Sequence, residues 1–308
     1  MSEKITAIKG FDQNFQCRGF QYTAGESYTH KGNVKPCKSG FHAIEGYPLE
    51  VFRYYPPGKS RFAEVLQSGT IQRHDNDSKT ASSKISVLKE ISLEELIQRA
   101  VKWTFEHTKS ENSKHSDASQ GIAANSGDYG AAANSGDYGA ATNSGFRGAA
   151  ANSGSCGAAA NSGSCGAAAN SGSCGAAANS GSRGAAANSG ACGAATNSGY
   201  CGAATNSGAC GAATNSGYYG AAANSGYYGA AVNSGSRGVA SSTGLHGAAM
   251  ASGAEGKVMG EKGNLLVLTF RNPDGSIKHG WHGIVGKKGI KPNVWYTLNS
   301  EGEPEEVK

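Results

Sequence analysis

The sequence predicts a mainly β protein, built on a central parallel β-solenoid of nonapeptide repeats. A small N-terminal α+β domain precedes the solenoid and a β-rich cap closes its C-terminal end. Two observations carry this reading. From residue 118 to about 256 the chain repeats Asn-Ser-Gly-x-y-Gly-Ala-Ala-(Ala/Thr), with the triplet recurring at every ninth residue from Asn125 to Asn233. So strict a short period is the mark of a stacked array, because a flexible linker drifts in register. Glycine is 47 of 308 residues while aromatics are only 8%, so one large hydrophobic core is excluded.

Residues 1–107 hold most of the aromatic residues and read as the N-terminal domain. Apolar stretches at 50–55 and 62–66, separated by Pro56-Pro57-Gly58, suggest short strands. Ser92 followed by Glu95 has the spacing of a capping box. It opens a helix whose apolar stripe is Leu93, Leu96, Ile97, Ala100, Val101 and Phe105. Residues 108–117 are polar and unpatterned and read as a linker.

A nine-residue unit over 118–256 is too short for a helical repeat and lacks the glycine period of collagen. It fits a short strand plus a turn. Asn-Ser-Gly is expected to make that turn, with its glycine at positive φ and its asparagine bonding locally to the backbone. The second alanine after the later glycine never changes, as a very narrow interior requires. Two units per coil give an 18-residue rung, which brings Cys156, Cys174, Cys192 and Cys210 into one thiol column; nine per coil would give two groups of three. Calcium is not implied, since the turns carry Asn and Ser rather than Asp. Alanine methyls bury little area, so the stack is expected to lean on its hydrogen-bond ladder, on capping by both end domains and on packing against another chain. Residues 257–308 contain two further apolar strands around an Asn272-Pro273-Asp274-Gly275 turn and read as the cap, with a solvated acidic tail at 301–306.

A net charge of +5 does not argue for nucleic acid, and no apolar run approaches the length of a membrane span. No secretory signal is seen at the start of the sequence, so the expected address is the cytoplasm. The repeat thiols are expected to be reduced. Cys17, His30, Cys37 and His42 lack paired zinc-ligand spacing, and no metal or cofactor is expected. Tyr129, Tyr138, Arg147, Arg183, Tyr219, Tyr228 and Arg237 decorate the solenoid and are the candidate binding residues, because aromatic and guanidinium groups on a rigid array can hold a ligand or a protein.

The motifs Cys17-Arg18-Gly19-Phe20-Gln21-Tyr22, Cys37-Lys38-Ser39-Gly40-Phe41-His42-Ala43 and Phe52-Arg53-Tyr54-Tyr55-Pro56 resemble an uncharacterised domain of bacteriophage and prophage proteins. Its members often carry Asn-Ser/Thr-Gly nonapeptide repeats. The resemblance implies a phage-derived protein made inside a host cell, and it brings no catalytic residue. Gly40-Phe41-His42-Ala43, with residues 51–55, also resembles a stretch of ADP-ribosyltransferase-like folds. Together these readings predict a non-enzymatic interaction scaffold. Its partner would be a host protein, such as a defence component, or a phage protein, and homo-oligomerisation is expected. The alternatives are an enzyme using His42 and Glu64 on a nucleotide-like substrate, targeted by the solenoid, and a protein that sequesters a ligand or nucleic acid.

Overall fold

The computed structural model describes residues 3–74, 77–108 and 113–307. In the N-terminal domain β1 (Lys4–Phe11) is followed by a small hairpin, β2 (Gln16–Cys17) and β3 (Phe20–Gln21). Then come β4 (Ser27–Thr29), β5 (Phe41–Ile44), β6 (Arg61–His74) and β7 (Asp77–Ile91). The sheet order is β4-β7-β5-β1-β6, and β6 also pairs with β7, so the sheet closes on itself. Ile5, Ala7, Phe11, Val65, Ile85 and Val87 fill the interior. Residues 50–55, expected as a strand, instead lie largely in a 3₁₀ helix, Pro48–Arg53. Proline at its first turn is preset for helical φ, and Leu49, Val51 and Phe52 are all buried there.

Helix α1 (Leu93–His107) begins at the expected cap, where the Glu95 N–H donates to Ser92 Oγ at 3.1 Å. Its buried stripe is Leu96, Ile97, Ala100, Val101 and Thr104.

The solenoid consists of four-residue strands, one per nonapeptide, from β8 (Ser113–Ser116) and β9 (Ile122–Asn125) to β23 (Ala248–Ala251) and β24 (Lys257–Gly260). Alternate strands join two separate sheets, and partners within a sheet are 18 residues apart, as in Ala131↔Ala149 and Asn134↔Asn152. The 18-residue coil is therefore the one adopted. Of the segment expected as linker, residues 109–112 lie outside those described, and Ser113–Ser116 already forms the first rung, in register with Ala131 to Asn134.

The turn differs from expectation in a way that explains the motif. Asparagine is the last strand residue and its side chain points inward, with Asn134 to Asn233 all at most 3% exposed, yet it also opens the turn by the expected local bond, as where the Gly145 N–H donates to Asn143 Oδ1 at 2.8 Å. Asn152, Asn170, Asn188 and Asn206 form an amide ladder, each Nδ2 donating to the next Oδ1 at 2.7–2.9 Å. Positive φ belongs to the second variable residue, from Gln120 to Glu255, and not to the repeat glycines. Those glycines are required by contact. A Cβ on Gly163 would stand 1.9 Å from the carbonyl oxygen of Gly145, one coil below.

The invariant second alanines, Ala123 to Ala249, form a single column shared by both sheets. At the C-terminal end Leu266, Leu268, Val285, Ile290 and Tyr296 continue this column and plug it. There β25 (Leu265–Arg271) stacks parallel on β23, and β26 (Ile277–Ile284) turns back antiparallel. On the other sheet β27 (Tyr296–Leu298) covers β24, and β28 (Pro304–Glu306) adds an edge strand from the segment expected as a loose tail.

Among the described residues the N-terminal domain does not cap the first rung. Helix α1 and the 3₁₀ helix lie across the outer face of the first sheet, against Ala149, Ala167, Ala185 and Ala203. Tyr47 OH donates to Cys165 O at 2.5 Å, Arg147 pairs with the buried Glu50 at 2.6 Å, and Ser207 Oγ donates to Glu94 at 2.7 Å. The physical reason for side-on docking is the alanine face itself. It is flat and apolar, and an amphipathic helix removes it from water.

Candidate functional site

Along β1 the inward positions are Ile5, Ala7, Lys9 and Phe11, and Lys9 is only 3% exposed. A lysine in that stripe must find partners. Its Nζ donates to His42 O at 2.8 Å, contacts Cys17 Sγ at 3.6 Å and lies 5.1 Å from the centre of the Tyr22 ring. Cys17 Sγ in turn shares a 3.0 Å hydrogen bond with Tyr55 OH. The Tyr55 ring packs directly over Gly10, where a Cβ would fall 2.3 Å from the ring. Burial holds the Lys9 ammonium below its ordinary range.

These groups line a cleft of about 560 Å³. Its cationic side chains are Lys9, Arg18, Lys38 and Lys79, and among the described residues no Asp or Glu lines it. His42 lines it too. Burial, and then the charges of Lys9, Arg18 and Lys79, lower its pKa to about 4, while a backbone hydrogen bond with Lys35 acts in the opposite direction. Its Nε2 is buried with no hydrogen-bond partner among the described residues. Phe20 and Tyr54 supply aromatic wall, and Lys79 Nζ lies 3.5 Å from the centre of the Tyr54 ring. At the rim Arg18 (φ 52°) and Cys37 (φ 61°) are left-handed, a conformation costly for side-chain-bearing residues. Chemically, the cleft offers positive charge, a hydrogen-bonding ring nitrogen and flat apolar surface.

Glu64 is not part of this cleft. It sits on β6 opposite Ile8 and is ion-paired with Arg99 of α1. His42 and Glu64 are therefore not brought together, which corrects the pairing expected of an enzyme. The salt bridge to a helical arginine holds Glu64 at the helix–sheet seam.

The decorating residues of the solenoid divide between its two edges. Tyr129, Arg147, Arg183, Tyr219 and Arg237 share one column with Cys165 and Cys201, at intervals of 18 residues. Much of that column is engaged within the chain. Arg147 reaches Glu50 and donates to Tyr129 OH at 2.8 Å. Lys59 lies 4.4 Å from the Tyr219 ring centre, and Arg237 binds both Tyr219 OH and Glu255. Tyr138 and Tyr228 stand on the other edge, at either end of the Cys156, Cys174, Cys192 and Cys210 column, whose thiols are free and exposed. The seven residues thus form no single face.

Sequence reasoning missed Lys9 and the Cys17–Tyr55 pair. A signal for Lys9 was present: it occupies an apolar position in an alternating strand. Nothing local announced Tyr55 or His42 as its neighbours.

Residues 5–99 match the family model of a domain of unknown function (DUF7666). No curated protein and no solved structure matches the chain.

Proposed function

We propose that this is a non-enzymatic binding scaffold, in which a rigid solenoid mounts an N-terminal domain whose cleft captures an anionic ligand. One observation carries the reading: a cleft lined by four cationic side chains with no Asp or Glu lining it among the described residues. Such a cavity attracts and orients negative charge. The side-on docking of α1 adds the mechanical half, since Tyr47, Glu50 and Glu94 tie the domain to several rungs. The resemblance to phage and prophage proteins supports a role on a host or phage component within an infected cell.

Titrating the full-length protein with inorganic pyrophosphate at low and moderate salt tests this. Saturable binding that weakens as salt rises, with the ligand recovered unchanged, is the expected result. Absence of binding at low salt removes the reading.

A second reading concerns assembly. The outer face of the second sheet carries Ala and Thr columns like those that α1 covers on the first, and it forms an open groove of about 640 Å³. This favours a homodimer through that face.

A further inference from the structure

We propose that the ligand of the N-terminal cleft is a nucleoside phosphate, with its phosphates among the cationic side chains, its base on the aromatic wall and a ligand donor on His42 Nε2. This rests on the anion-capture reading and names the ligand. Three features from separate segments ask for three parts of one molecule. Lys9, Arg18, Lys38 and Lys79 come from β1, the β2–β3 turn, the loop before β5, and β7. Four cations around one cavity suit a group bearing more than one negative charge, such as a diphosphate, better than a single carboxylate.

Phe20 supplies the second feature. It is 44% exposed, yet it is buttressed edge-on by Tyr22 at 4.8 Å and Tyr28 at 5.3 Å between ring centres. An exposed ring held by its neighbours is a stacking platform for a flat base, because every base has a π face. His42 supplies the third. Its lowered pKa keeps the ring neutral near neutral pH, and the buried Nε2 lacks a partner among the described residues. A sugar hydroxyl or an exocyclic amine would satisfy that nitrogen, and inorganic phosphate has no equivalent carbon-borne donor. The cavity, at about 560 Å³, falls within the roughly 300–1,000 Å³ of small-molecule sites.

The test is calorimetric titration of the full-length protein at neutral pH with ADP, adenosine and inorganic pyrophosphate in parallel. ADP is expected to bind about ten-fold or more tighter than either fragment. Phe20→Ala should bring ADP down to the pyrophosphate level while leaving pyrophosphate binding unchanged. Arg18→Glu should weaken ADP by about ten-fold or more. Both positions are exposed, so unchanged melting temperatures will show that the variants fold. Pyrophosphate binding as tightly as ADP overturns the nucleoside assignment and leaves anion capture standing. Adenosine binding as tightly as ADP, or no binding by any of the three, overturns both.

Discussion

At the scale of single residues the N-terminal domain stores its chemistry as buried, imperfectly compensated polar groups. His42 shows how this is read out by pH. Its folded pKa is depressed from 6.5 to about 4, so the unfolded chain takes up a proton that the folded chain refuses. Its contribution is present above pH 6.5 and is lost progressively as pH falls toward about 4. Lys9 has the same sign, but its loss begins at much higher pH because its reference value is 10.5. Melting temperatures measured from pH 8 to 4 should therefore fall steeply below pH 6.5, and His42→Asn should flatten that fall. Parallel curves for the two proteins would rule out His42 as the source. An anion entering the cleft would favour the protonated form of Lys9, while a ligand donor on Nε2 would hold His42 neutral, so proton uptake on binding is coupled through Lys9.

At the scale of the element, the nonapeptide is a compromise between closeness and polarity. Rungs stack so tightly at the turn that glycine faces a carbonyl of the coil below, while the inward asparagine replaces part of an apolar core with a hydrogen-bonded ladder. Gly163→Ala places a methyl 1.9 Å from Gly145 O, a backbone atom held by its own turn hydrogen bond, and should cost ~1–3 kcal/mol. Ser173→Ala, at an exposed turn position on the edge of the solenoid, is the control and should leave stability within ~0.5 kcal/mol. Chemical denaturation measures both, and equal effects would show that the turn contact is soft. The period, the 18-residue coil and the capped start of α1 were legible because each is written in local spacing. The local bond of the asparagine was legible too, and it is made, as where the Gly145 N–H donates to Asn143 Oδ1. The role of the glycine was not. Its turn propensity points to φ, whereas here its identity is set by the carbonyl of the next coil, a contact with no signature inside one repeat, and the same holds for the amide ladder between asparagines of successive coils. The cleft escaped for the same reason at longer range. Lys9 meets His42, Cys17 and Tyr55 only after β1 and β5 pair and the 3₁₀ helix packs.

At the scale of the whole molecule, the two sheets of the solenoid have nearly the same sequence and opposite fates. On the first, Ala149, Ala167, Ala185 and Ala203 are fully buried beneath α1. On the second, the corresponding outward residues, from Ile122 and Ala124 through Thr142, Thr196 and Thr214 to Met250, include no charged side chain. Monomeric proteins keep large exposed apolar surfaces rare, and a repetitive flat face is complementary to a copy of itself across a two-fold axis. The chain should therefore run as a dimer of the 31.2 kDa protomer in light scattering of the reduced protein. Ala178→Arg, at the centre of the face, should return it to a monomer by placing two like charges against each other where the copies meet. An Arg at exposed Ser173, on the edge with the thiol column, should leave the mass unchanged. A wild-type monomer at all concentrations would mean that the second sheet is stable in water on its own. The hydrogen-bond ladder and asparagine columns would then have to supply what α1 supplies on the first.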